Sequence, residues 1–484
     1  MRSMLSHGGR TRVRRRARLL ALLGSAVLLA AACGSGGGGT ANVQASADNN
    51  LVAMTNPDIM EGLTPQTSAG SNSIASFYTY YHQIWHQKLP HLKITEVQVP
   101  DESTEITKTL LGQNAGDPPD LIGLHDTVPE LVQRGALTDL TPYFKKAGIT
   151  PSDFLPAMAS YARYDGKWYA LPGASNPTSG DLLVIPKYLS AAGVDPNNLP
   201  RTWTQLLRES EKVVQFGPGH TLERIGEPVV GASDIYMIDE FCGGPSIWNA
   251  KTGYQASSSC VENYFKYEKQ LVEAYGGWST YERFITGDPG PWSCSPKDYV
   301  ATGKELFDLD AYWTGGQIDH RYNLTWKLSD APSQNGQLNK GIELTAWMLA
   351  IPKGAKDPQA AFDFWLTTFY NYGYLAGPTT NGYTRGSQVQ AWNQQLIKAQ
   401  GRIRSKNGYA GNPISSALQV VASEASISDT SYPRGTFTAQ YTTIMTDAWN
   451  NIAYNKMSVG QALSHAQQQI NSQEHSMAGG VSAN

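Results

Sequence analysis

Cysteine is scarce in this chain: four occur in 484 residues, at positions 33, 242, 260 and 294, and no two are spaced C-x-x-C. That spacing argues against a thioredoxin-type redox centre or a zinc ribbon. Charge is sparse as well, since Asp, Glu, Lys and Arg make up only 16% of residues. Seven of the 38 Lys and Arg fall within residues 1–18, which hold no acid. Without them 31 cations face 41 anions, a balance near −10. Such a mildly acidic surface argues against nucleic acid and against a polybasic membrane patch. Neither G-x-S-x-G nor a P-loop occurs, so the common signatures of serine hydrolases and nucleotide enzymes are missing. What is plentiful is aromatic: 25 Tyr and 12 Trp. Few charges and many aromatic rings suit an extracytoplasmic protein that binds a neutral, hydroxylated ligand.

The N-terminus reads as an export signal. A basic n-region is followed by Leu19 to Ala32, apolar apart from Gly24 and Ser25. This run is shorter than the roughly 20 residues of a spanning helix. Residues 1–32 are therefore expected to be a signal peptide. Ala30-Ala31-Ala32-Cys33 resembles a lipobox, although Ala30 stands where leucine is usual. Cys33 is the expected lipidation site, and two or three acyl chains would hold the protein stably on the membrane. Residues 33–50, with a glycine tract and Val43 as the one large apolar residue, read as a flexible tether. The alternative is an ordinary secreted protein cut near A-x-A. Arg14-Arg15-Arg16 leaves twin-arginine and ordinary export both open.

Three cysteines remain in the mature chain, and an oxidising compartment favours one bridge with one thiol left over. "FCGGPSIWNAKTGYQASSSC", residues 241–260, reads as a closed excursion between two helical segments. Cys242–Cys260 is the expected disulfide, Cys260–Cys294 the alternative.

Short apolar runs alternate with helical patterns. Leu51–Thr55 is a candidate first strand, and Ile74, Phe77, Tyr81, Ile84 and Trp85 recur at helical spacing before Pro90. Residues 92–100 alternate as a strand, 103–114 are helical, 119–126 form a buried strand, and 127–137 are again helical. This βαβαβα order predicts an α/β fold with a mostly parallel sheet, whose ligands sit at the carboxyl ends of the strands. Capping boxes at Thr202–Gln205 and Ser458–Gln461 mark helix starts, as does Asp357-Pro358.

Residues 116–144, with Pro119-Asp120 before an apolar run, 164–207, with Gly166-Lys167 and Thr202-Trp203, 341–369, with Ile351-Pro352-Lys353-Gly354, and 458–471 together resemble the solute-binding proteins of ABC importers, in particular the carbohydrate binders akin to maltose-binding protein. "GDPPDLIGLHDTVPELVQRGALTDLTPYF" is similar to that family's G-x-x-P-D strand, helix and G-x-L-x-x-L. "YDGKWYALPGASNPTSGDLLVIPKYLSAAGVDPNNLPRTWTQLL" resembles its G-K-x-Y-x-x-P, its strand crossing to a second lobe and its A-G-x…P-x-T-W. "GIELTAWMLAIPKGAKDPQAAFDFWLTTF" resembles the returning segment, and "SVGQALSHAQQQIN" the last helix. Ile185-Pro186-Lys187 departs from the family's Y-N-K, and residues 280–300 look like an enlarged loop.

The resemblance implies a two-lobed periplasmic-binding-protein-like fold: lobe I from 51–175 and 333–376, lobe II from 176–332 and 377–478. Crossings near 173–180, 326–334 and 375–381 would form the hinge. It implies a monomer without cofactor that carries a neutral sugar to permease subunits. A peptide or polyamine binder and an anchored glycosidase are the alternatives. "VATGKELFDLDAYWTGG" resembles the family's F-x-x-G-K-A…G-x-W, which nominates Trp313, with Tyr312, to stack on sugar. His125 and Asp126, at a strand end, are candidates to accept hydroxyl protons, against a reading as a helix cap before Thr127. Asn176, Ser179 and Asp181 lie on the first crossing, where the family places a polar ligand residue. Trp248 and Trp347 are candidates for lining the cleft, though packing is the simpler role for each. His82 and His86 share a helix face at i and i+4, but Gln83 stands where H-E-x-x-H has glutamate, so no metal site is expected.

Overall fold

The computed structural model describes residues 50–55, 84–100, 102–124, 127–177, 182–249, 251–288, 297–309, 324–339, 344–373, 385–388 and 437–478, together with 391 and 394. The alternation read in the sequence is realised as β1 (Asn50–Thr55), β2 (Lys93–Gln98), α1 (Glu102–Ala115) and β3 (Leu121–Leu124). Next come β4 (Leu171–Pro177) and β5 (Leu182–Val184). The helices α2 (Trp203–Val213), α3 (Tyr236–Cys242), α4 (Ser259–Ala274) and α5 (Trp278–Ile285) follow. The chain continues through β6 (Lys327–Ser329), β7 (Leu344–Ala350) and α6 (Pro358–Trp365). It closes with α7 (Thr438–Ala453) and α8 (Val459–Ala478).

Five strands form one sheet in the order β2-β1-β3-β7-β4. β1 runs parallel to β2 and β3, whereas β7 is antiparallel to both of its neighbours. β3 is buried on both faces, which is why it reads as an unbroken apolar run. The core around this sheet draws on Leu51 to Leu171 and Met348 to Tyr370. Aromatic rings fill one side: Phe144 and Trp168 stack at 4.1 Å, with Phe362 and Trp365 5.5 and 5.2 Å from Phe144. Trp365 donates its indole N–H to Pro172 O at 2.7 Å, so α6 is fixed to the start of β4.

A second core gathers Leu182 to Leu309 and returns with Phe437 to Ile470. The cap signals hold: Gln205 N–H donates to Thr202 Oγ1 and Gln461 N–H to Ser458 Oγ. Trp203, inside the first box, is buried against Phe241 and Tyr267. β6 pairs antiparallel with β5 on this second core. Gln334 donates to Phe241 O and Asn339 to Glu240 O, so the chain from β6 to Asn339 stays on the same side. Residues 385–388, by contrast, lie against the first core: Gln388 donates to Tyr370 O at 2.8 Å and Arg385 sits over the Tyr370 ring. Two separate cores, each flanked by helices, make this the two-lobed α/β fold.

Candidate functional site

The carboxyl ends of β1, β3 and β4 share one edge of the sheet, because β1 and β3 are parallel and β4 lies antiparallel to the reversed β7. Open α/β sheets bind their ligands at such an edge. Asn176 is the penultimate residue of β4 and pairs with Thr345 of β7. Trp347, two residues along β7, stands at a register break: Ala346 pairs with Ser175, but Met348 pairs with Pro172. Gly173 and Ala174 therefore oppose the single residue Trp347, a bulge of the kind that re-aims backbone beside binding sites. On the other side of β7, Met348 pairs with Leu124, the last residue of β3. The sheet thus brings Asn176 and Trp347 onto adjacent strands at its carboxyl edge. His125 and Asp126 follow Leu124 directly in the chain but lie outside the described residues, as do Ser179, Asp181, Tyr312 and Trp313.

Trp248 belongs to the second core. It starts a two-residue ladder, pairing with Tyr254, while Asn249 pairs with Gly253. Its ring is half-buried, 6.5 Å from that of Tyr254. This hairpin fills the excursion that the sequence suggested, and Cys242 and Cys260 at its two ends are disulfide-bonded, with Cα atoms 5.9 Å apart. Cys33 and Cys294 are outside the described residues, and so is His82. His86 is exposed and stacks on Trp85 at 4.6 Å. Among the described residues no group of His, Cys, Asp and Glu is arranged to hold a metal, and no helix is long and apolar enough to cross a membrane.

Sequence reasoning passed over a set of buried acids. Glu227, Asp239, Glu240 and Glu268 are all buried in the second core. Glu268 accepts from Val230 N at 2.9 Å and Gly231 N at 2.8 Å, and Tyr267 O–H donates to Glu227. Burial pushes Glu268 and Asp239 each up to about 7, and Glu227 well above the usual carboxylate range. Their signal lay in the spacing: Tyr264, Tyr267 and Glu268 sit at i, i+3 and i+4 on the inward face of α4.

A family model for bacterial extracellular solute-binding proteins matches residues 81–373. Several solved structures share the fold. The protein CpMnBP1 with mannotriose bound superposes with a TM-score of 0.66 at 21% identity, covering 87% of this chain and 99% of that one. An ABC substrate-binding protein from Listeria monocytogenes in complex with cycloalternan gives 0.65 at 14% identity, over 88% and 99% of the two chains. The GacH receptor of Streptomyces glaucescens, solved unliganded and with acarbose, gives 0.60 at 15% identity, over 86% and 97%. A sequence search among curated proteins gives no match. The matched span covers more than half of the chain and residues of both cores, and on that ground the protein belongs to the bacterial extracellular solute-binding proteins.

Proposed function

We propose that this protein captures a neutral mono- or oligosaccharide between its lobes and delivers it, chemically unchanged, to the transmembrane subunits of an ABC importer. The observation that carries this reading is the shared fold, over nearly their full length, with proteins described with mannotriose, cycloalternan and acarbose. Trp313, with Tyr312, is assigned to stack on the sugar's C–H face, and Asp126 with His125 to accept its hydroxyl protons. Asn176 and Trp347, on the adjacent strands β4 and β7, are assigned to the same site; Ser179 and Asp181 are assigned to extend the polar set along the first crossing, and Trp248 to line the cleft from lobe II. Ligand favours closure through contacts that both lobes make at once.

The contacts of Gln334 and Asn339 argue for starting the return to lobe I after Asn339 rather than at residue 333. Those of Arg385 and Gln388 argue for keeping lobe I to residue 388 rather than 376. Lobe I is then 51–175 with 340–388, and lobe II 176–339 with 389–478. The protein works as a monomer, held on the membrane through lipid on Cys33. Cys33→Ala is expected to move it from membrane to medium with folding intact.

Calorimetry on a sugar panel, followed by scattering with and without the best ligand, tests the reading. Stacking is worth roughly 0.5–1.5 kcal/mol beyond area burial, and a charge-assisted hydrogen bond about 1.5–3 kcal/mol. Trp313→Ala and Asp126→Ala should each weaken binding by about ten- to a hundred-fold. The sugar should be recovered intact after long incubation. No binding at millimolar concentration, or binding without compaction, would overturn the proposal.

A further inference from the structure

The hairpin that carries Trp248 is held from four directions. At its base the Cys242–Cys260 disulfide ties the end of α3 to the start of α4. On its return strand, Gln467 of α8 accepts from Ala256 N at 2.6 Å and donates to Tyr254 O, while Tyr441 of α7 donates to Gln255 O. The outgoing strand depends on Asp239 of α3, whose Oδ1 accepts from Ser246 N at 2.5 Å and from Ile247 N at 3.0 Å. Ile247, immediately before Trp248, is fully buried. Asp239 itself is 6% exposed. So a single carboxyl oxygen fixes the two residues that set the direction of the tryptophan, inside a site that water hardly reaches. Among the described residues, Tyr441 of α7 lies close enough to feel the charge of Asp239, the Tyr254 ring of the hairpin lies 4.8 Å from that of Tyr441, and Glu240 follows Asp239 in α3. Burial and the Asp239 charge both keep the Tyr441 phenol protonated.

We infer that Asp239 is a positioning residue for Trp248, and that the hairpin is held in a proton-dependent way. As a carboxylic acid, Asp239 accepts both N–H groups on Oδ1 while its proton sits on Oδ2; as a carboxylate it carries a charge into an apolar site. Burial outweighs the two N–H donors and raises its folded value to about 7, against 3.8 in water. If the hairpin lifts, the carboxyl is hydrated and regains its ordinary acidity. The seated form therefore binds the proton more tightly. Lifting becomes easier as pH rises from about 4 to about 7, by up to tenfold per unit, and levels off above. The consequence for ligand rests on the saccharide reading above: a hairpin seated for less of the time lowers the apparent affinity in proportion.

Hydrogen–deuterium exchange of peptides across 243–257, corrected for the intrinsic pH dependence, tests the inference on the full chain without any ligand. In the wild type these amides should be protected at least tenfold more at pH 5.5 than at pH 7.5. Asp239→Asn, which mimics the protonated acid, should keep the protection and lose its pH dependence. Asp239→Ala should exchange fast at both pH values, with the rest of α3 and α4 protected as before. A wild-type pattern independent of pH, or an unchanged pattern in Asp239→Ala, would overturn the inference. For the best sugar of the panel, affinity should rise on acidification in the wild type and stay flat in both Asp239→Asn and Trp248→Ala. Absence of any sugar ligand would sink the saccharide reading alone, since the exchange experiment decides about Asp239 independently.

Discussion

At the scale of the residue, Asp120 shows how a motif that points to a family can owe its place to architecture. It is the aspartate of the P-D pair before β3, and it is buried. One oxygen accepts from Val52 N at 2.9 Å, in β1; the other accepts from Lys356 N at 2.8 Å and Asp357 N at 3.3 Å, at the start of α6. A single carboxylate thus joins the first strand to a helix more than 230 residues further on. Replacing it by alanine leaves three part-buried N–H groups without this acceptor, where an unsatisfied buried group costs about 1–3 kcal/mol. Asp120→Ala should lower the stability of the protein by about 3 kcal/mol or more, read from the denaturant midpoint, whereas Asp120→Asn should recover part of the loss. Asp357, in turn, caps α6 by accepting from Ala360 N at 2.9 Å, as the Asp-Pro pair in the sequence indicated.

At the scale of the element, what was legible depended on how local the cause is. β2 and β3 announced themselves through side-chain period and burial, α2 and α8 through hydroxyl–amide boxes, and the 241–260 excursion through its closed shape. The reversed direction of β7 was not legible, because direction in a sheet is decided by neighbours distant in sequence, here β3 and β4. The register break at Trp347 was invisible for the same reason: it exists only between two strands. Of the candidate site, the sequence nominated residue types and strand ends, but which side chains converge depends on how separate crossings meet. The excursion also yields a prediction. Its disulfide closes a loop of 18 residues in sequence separation; in the chain-entropy model such a link is worth around 3 kcal/mol. The double variant Cys242→Ala/Cys260→Ala should melt lower by several degrees, and dithiothreitol should lower the wild type by the same amount while leaving the variant unmoved.

At the scale of the whole molecule, the two cores differ in chemistry. Both bury carboxyls, Glu105 and Asp120 beside the first, but those pushed up to about 7 or well above the usual carboxylate range lie in the second. Glu268 and Asp239 have folded values raised to about 7, and Glu227 is raised well above the usual carboxylate range, all chiefly by burial. A raised carboxyl binds its proton more tightly in the folded chain. The stabilisation it brings is therefore complete below the unfolded value, near 4, and is lost as pH rises toward 7. These groups tilt the stability of the second lobe in favour of mildly acidic conditions. Glu268→Gln keeps an acceptor for Val230 and Gly231 but no longer titrates. It should raise the melting temperature at pH 8 relative to wild type by more than at pH 5, as calorimetry over that range would show.

The place of β7 in the sheet has a consequence in time. It lies between β3 and β4, yet 166 residues separate the end of β4 from its start. At about 5–20 residues per second, a ribosome needs roughly 10–30 s to cross that gap. Throughout the interval β3 has one unpaired edge and β4 lacks its strand partner altogether, and an open edge is a template for pairing with another chain. The first lobe is begun first but completed only when its inner strand emerges, after most of the second lobe has been made. Until β7 emerges, a nascent chain of this kind needs something to cover those edges.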